Sequence, residues 1–280
     1  LEFAHKLNSP NLKVPPVVFA KPLISELCDP GVIIFEDFTK TTSMSAANDL
    51  SIECLKEVVK ALADLHAACL LTKDYSSKWH FPSYNRLNLT QLMRAVFIFK
   101  NANPVLFGQT FDRIHEIIEE ILRIHYDSTD KHKRDSGPEV LVHGYLLPEN
   151  IRWKKPENPE HSVSELAYII NWQNLRLGTV TEDLVYFLCS STSSETRRAA
   201  IHELIKHYIA RFEQKYEKSI LELINREFRF QALRALIPLA ECLAPTLDTH
   251  ETSAAGAHSV TQMTVLMRAK GLLDDIVRSE

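Results

Sequence analysis

Two short β-type runs, each leading straight into polar residues, set the strongest constraint on this chain of 280 residues. The first, 140–142, opens onto His143, Gly144 and, seven residues past the histidine, Asn150. The second, 166–170, ends in Asn171, Trp172 and Gln173. Strands that deliver polar side chains to a common edge build a site on mechanical grounds alone. What the site can do depends on charge, and it holds little. Its nearest carboxylate is Glu149, which its place beside Asn150 turns elsewhere.

The flanking pattern gives the fold class. Pro15 and Pro16 precede an apolar run at 17–19. Cys28-Asp29-Pro30-Gly31 is a turn signal, and 32–35 reads as a short, fully apolar strand. Glu36, Asp37 and Phe38 end it and lead into a Ser/Thr-rich linker, 39–48. Helical spacing then takes over. Ser51 caps one helix and Glu53 suits its first turn. A second is expected near 89–100, and a third starts near Thr110 and carries Phe111, Ile114, Ile118 and His125. The polar stretch 127–139 reads as a surface loop, and 151–154 with 166–170 as a hairpin. After Asn171 the pattern predicts helices only. The first is capped by Thr181, Glu182 and Asp183; the next is lined by Ile201, Leu204, Tyr208, Phe212 and Tyr216. A helix over 221–243 is expected to kink or break at Pro238, and the last, 259–278, to be interrupted at Gly271. The order is α+β with a mostly helical larger part, not a doubly wound sheet.

Seven glycines, none closer than Gly137 and Gly144, leave no glycine-rich loop to cradle a phosphate. Acidic residues outnumber basic ones 36 to 32, which gives no electrostatic footprint for nucleic acid or an anionic membrane. Five scattered cysteines argue against a disulfide framework and for a reducing, cytoplasmic setting. No apolar run approaches the length of a membrane span.

Taken in order, His143-Gly144, Asn150-Ile151-x-Trp153, Ile169-Ile170-x-Trp172-Gln173, Gly178 and Glu182-Asp183-Leu184 resemble the CHK kinase-like family. This group is also called ecdysteroid-kinase-like, is abundant in nematodes and insects, and is related to choline and aminoglycoside kinases. The resemblance extends to 32–38 and to 268–275 and covers essentially the whole chain. It implies a bilobal protein-kinase-like fold with ATP and magnesium between the lobes. Residues 1–38 would be the last strands and hinge of a small lobe (Glu36, Asp37 and Phe38 at the nucleotide), and 39–280 the helical lobe. The glycine-rich loop and phosphate-binding lysine would precede Leu1, with Glu2 a remnant of the intervening helix.

The resemblance also implies a base aspartate after His143-Gly144, an asparagine at Asn150 and a metal-binding aspartate before Trp172. A hydroxyl acceptor needs a carboxylate to orient it, and magnesium on a triphosphate needs hard anionic oxygens. The chain departs at both carboxylates, with Tyr145 in the base position and Asn171 in the metal position. A phenol with a pKa of about 10 is a poor base at neutral pH. An amide oxygen can touch magnesium but does not offset its charge. Asn150 alone keeps the expected type. The plainer expectations are that Tyr145 fills a vacated site and that Asn150 and Asn171 are loop amides. His143 then holds the loop, Asp183 caps a helix or braces the His143 loop, and His66 is a satisfied core histidine. His202 and His207 lie off one helical face, so they are not a metal pair. The function this leads to is binding, of a small hydroxylated molecule or a partner protein, with phosphotransfer lost. The alternatives are a working small-molecule kinase completed by an upstream lobe and a helical interaction module.

Overall fold

A computed structural model describes residues 13–21, 31–44, 49–71, 87, 89–108, 114–127, 139–156, 165–211, 214–243 and 260–278. Glu2, Cys28, Thr110, Phe111, Phe212, most of the 127–139 loop and most of the 156–164 turn lie outside these residues. The α+β expectation holds: small antiparallel sheets precede and interrupt a mostly helical body.

Strands β1 (Val17–Lys21) and β2 (Val32–Phe35) pair antiparallel. An apolar run such as β2 is expected inside, yet Phe19, Ile33 and Ile34 are each about half exposed. The two strands pair with each other, and among the described residues no further layer covers either face. β3 (Thr41–Thr42) adds to the expected hairpin of β5 (Ile151–Lys154) and β6 (Leu166–Ile169). β4 (Glu139–Val142) pairs instead with β7 (Arg176–Thr179), a strand the sequence reading passed over. A one-turn 3₁₀ segment (Trp172–Asn174) and β7 thus separate Asn171 from the next helix.

The helices are α1 (Ile52–Leu71), α2 (Leu89–Ala102), α3 (Pro104–Phe107), α4 (Ile114–Asp127), α5 (Val180–Ser191), α6 (Ser194–Ile209), α7 (Gln214–Glu241) and α8 (Val260–Arg278). Ser51 Oγ caps α1 by accepting from the Cys54 N–H at 3.3 Å. The helix expected to run from Ile201 to Tyr216 stops at Ile209, and Tyr216 belongs to α7. Neither glycine nor proline marks that break, and α7 resumes a similar period, so spacing alone reads through it. α7 begins earlier than expected and runs through Pro238, which lies in its last turn, so the backbone bond its missing N–H removes falls at the end of the helix and does not divide it. α8 passes through Gly271. A Cβ there would meet Ser194 Oγ at 1.4 Å, so the glycine serves the close approach of α8 to the start of α6.

All twelve residues of α5 are buried, its polar ends at 181–183 and 190–191 included. Leu184, Phe187 and Leu188 join a core formed with α1, α6 and strands β4 to β6. Val185, Tyr186 and Cys189 join a second core with α2, α4, α7 and α8. Its start is set by Thr179 rather than Thr181: the Thr179 N–H donates to Glu182 Oε1 at 3.0 Å. Burial penalises the Glu182 charge, but Arg234 and Arg176 outweigh it and hold its carboxyl below the usual range. α5 is therefore the axis of the molecule, and it carries Asp183.

Candidate functional site

β4 ends where its pairing with β7 ends, and His143 begins a loop whose backbone is held by Asp183. Asp183 is 1% exposed, and its Oδ2 accepts from the His143 N–H at 2.5 Å. Its Oδ1 accepts from the Gly144 N–H at 2.9 Å. Of the two roles expected for Asp183, the brace is the one it takes. Gly144 has φ of 78°, and a Cβ there would come within 2.7 Å of the Asn174 carbonyl. Only glycine meets both conditions cheaply.

The His143 ring ties the two strand exits together. Its Nε2 donates to the Ile170 carbonyl at 2.8 Å, and its Nδ1 accepts from the Tyr145 N–H at 3.2 Å. Two partners of opposite kind fix one neutral tautomer. Burial agrees, pushing the His143 pKa down against the pull of Asp183. Trp172 packs edge-on against this ring at 4.7 Å and donates its indole N–H to the Ile169 carbonyl at 2.7 Å. His143 is thus the loop-holder expected of it, and Gln173 stands exposed beside it.

Asn150 is buried, and its Nδ2 donates to the Tyr145 carbonyl at 2.8 Å. Its Oδ1 accepts from Asn171 Nδ2 at 3.3 Å. Asn171 is exposed and left-handed, with φ 66° and ψ 51°. This is a corner that asparagine tolerates better than most L residues. The two amides expected at a metal therefore address each other.

Tyr145 is half-buried, and its hydroxyl donates to Glu241 Oε2 at 3.3 Å, at the end of α7. Its ring lies 6.3 Å from that of Tyr186. Burial, then the Glu241 carboxylate, push the Tyr145 phenol above its ordinary pKa, away from any role as a base. Tyr186 is 6% exposed, and burial raises its phenol as well.

Behind Asp183, His66 is wholly buried, with Nδ1 2.5 Å from the Tyr208 hydroxyl. The expected satisfied core histidine is satisfied on one side only. Its Nε2 has no hydrogen-bond partner and lies 4.0 Å from Asp183 Oδ2. Burial lowers the His66 pKa to about 4, against the opposing pull of Asp183.

Glu36, Asp37 and Phe38, expected at a nucleotide hinge, lie elsewhere, on an open hollow of about 730 Å³ lined by residues 33–39, Thr41, Arg152 and Lys155. Asp37 turns onto its own loop, with Oδ2 accepting from the Thr39 hydroxyl at 2.5 Å. That bond, with the Thr39 N–H, holds the Asp37 carboxyl below its usual range. The Phe38 ring lies tilted against those of Phe35 and Tyr168, with centroids at 6.1 and 6.0 Å. The structure thus gathers His143, Gly144, Tyr145, Asn150, Asn171, Trp172 and Asp183 into one bonded group. Glu36, Asp37 and Phe38 stand in the link from β2 to β3. Glu241, Tyr186, His66 and Tyr208 were not foreseen at the site, because nothing local in the chain links them to it.

A sequence model of the DUF1679 family, described as "Uncharacterized oxidoreductase dhs-27", matches residues 1–279. The chain belongs to that family. The Caenorhabditis elegans protein of the same description is 22% identical over 232 residues, covering 78% of this chain and 28% of that protein. "Uncharacterized kinase-like protein D1044.1", also from Caenorhabditis elegans, is 23% identical over 233 residues, 79% of this chain and 59% of the other. The chain therefore spans less than two thirds of either relative. Among solved structures, a choline/ethanolamine kinase family protein from Mesorhizobium loti aligns with 99% of this chain and 81% of its own. Its TM-score is 0.48 at 14% identity. Among the described residues, no helix is long and apolar enough to cross a membrane.

Proposed function

We propose that this DUF1679 chain keeps the frame of a small-molecule phosphotransferase and acts by binding, its phosphotransfer lost. The observation that carries this reading is the state of Tyr145 in the base position. Its proton is committed to Glu241, and burial with that carboxylate makes the proton harder to remove. A general base must be able to take a proton near neutral pH. In phosphoryl transfer, positioning and charge stabilisation supply nearly all the catalysis, so losing charge from the site removes its main resource.

The residues present do not fit a magnesium–triphosphate group. Asn150 Oδ1 already accepts from Asn171, and neither amide carries a negative charge. Among the described residues, no group of three or more His, Cys, Asp or Glu side chains could hold a metal ion. In this reading residues 1–38 end a small lobe and 39–280 form the helical lobe. The ligand is a small hydroxylated molecule at the His143 loop.

Thermal unfolding of the purified chain with ATP, with and without magnesium, tests this. The expected result is no magnesium-dependent rise in Tm and no transfer of labelled phosphate to sterols, choline or other alcohols. A magnesium-dependent rise, or transfer abolished by Asn150→Ala, overturns it. Tyr145→Asp combined with Asn171→Asp is the complementary variant, and a gain of transfer there supports the retained frame.

A further inference from the structure

Helices α6 and α7 leave an open groove of about 850 Å³ between the last two turns of one and the middle of the other. That lies inside the roughly 300–1,000 Å³ range of small-molecule sites. Its walls follow from helical spacing. Ile201, Ile205 and Ile209 recur every four residues on α6, and Leu221, Ile224 and Phe228 form the facing stripe on α7. The α6 wall spans eight residues, about 12 Å of helix.

The polar residues on the groove are not evenly placed. His202 and Lys206 lie one turn apart on α6, and Asn225 stands on α7. Neither His202 nor Lys206 makes an ion pair among the described residues. Two carboxylates on these helices are engaged elsewhere. Glu203 bridges to Lys56 on α1 at 2.5 Å. Glu227 is buried and accepts from the Thr179 and Thr181 hydroxyls at 2.9 and 2.5 Å. No acidic residue lines the groove among the described residues. An apolar channel with an unopposed cation on one edge is complementary to an elongated apolar molecule with one anionic end.

We propose that this groove binds a single-chain amphiphile with an anionic head, of the long-chain carboxylate class. The chain lies along the Ile205–Ile224–Phe228 floor, and the head meets Lys206 and His202. It shares no residue with the His143 loop, so it stands or falls independently of the reading given above. A partner helix is the rival occupant, but the charge on a single edge favours a ligand with one charged end.

The test is displacement of a dansyl-labelled undecanoate by dodecanoate, followed by fluorescence on the full chain. Saturable binding is expected, and dodecanol should compete less well than dodecanoate. Lys206→Glu, on an exposed position, should weaken dodecanoate by about tenfold while leaving the circular dichroism spectrum intact. Phe228→Ala should weaken acid and alcohol alike. The proposal fails if the dye does not bind saturably, as a groove reserved for a protein helix predicts. It also fails if dodecanol matches dodecanoate, or if Lys206→Glu binds like the parent.

Discussion

Replacing Asp183 by alanine tests the physical basis of the site directly. Its carboxylate accepts the His143 and Gly144 N–H groups and is almost completely buried. Each hydrogen bond to a charged group contributes roughly 1.5–3 kcal/mol, and a buried N–H left unpaired costs a similar amount. Two such bonds give about 3–6 kcal/mol. Relief of burying a carboxylate offsets part of this, so a net loss of about 3–4 kcal/mol is expected. For a domain of this size each kcal/mol lowers Tm by roughly 2–4 °C, so the transition should fall on the order of 10 °C. Asp183→Asn keeps one acceptor oxygen and turns an NH₂ toward the other donor, so it should lose about half as much. Thermal and urea unfolding measure both variants. Hydrogen exchange at His143 and Gly144 supplies the local readout, with the amide that faces the new NH₂ losing protection in Asp183→Asn under conditions where the protein remains folded. A Tm for Asp183→Ala within a degree or two of the parent, or both amides still fully protected in the asparagine variant, would refute the brace.

His66 predicts the acid limb of stability. Its folded pKa of about 4 lies below the unfolded value of 6.5, so its contribution is fully present above 6.5 and is lost as pH falls toward 4. The loss amounts to roughly 3 kcal/mol. His143 is shifted in the same direction, so His66→Gln should flatten the urea-midpoint profile between pH 6.5 and 4 without abolishing its slope. An unchanged slope would count against a neutral, buried His66. Gly271→Ala should destabilise, although alanine in a helix normally gains about 1 kcal/mol over glycine. Ser194→Gly, which removes the atoms in the way, should restore most of the loss, and a stabilised single variant would sink the close-approach account.

The parts of this architecture written locally in the chain were legible before any coordinates. β4, the β5–β6 hairpin, and the placing of His143 and Asn171 at strand exits and of Asn150 at the entry to β5 each depend on a few consecutive residues. What was not legible depends on pairing across distance. β7 is four residues containing a glycine, and only its partner β4 makes it a strand. The Asp183 brace closes over 40 residues and the Tyr145–Glu241 contact over 96, and no spacing rule reaches that far. The exposure of β2 is not written in its own residues for a related reason. Apolar composition implies a wish to be covered, and which surface covers a strand is a property of the assembled fold.

The left-handed backbone at Asn171 has one further consequence. Few side chains can sit at φ 66° and ψ 51° without strain, and glycine, asparagine and aspartate lead that short set. Within it, asparagine and aspartate differ by the exchange of an NH₂ for an oxygen. The fold therefore specifies the backbone shape of this position almost completely, and its charge only through the one bond that the Asn171 NH₂ donates to Asn150 Oδ1. A single-atom substitution there can alternate the site between neutral and anionic without asking for a new backbone conformation, the contact with Asn150 being the part that must rearrange.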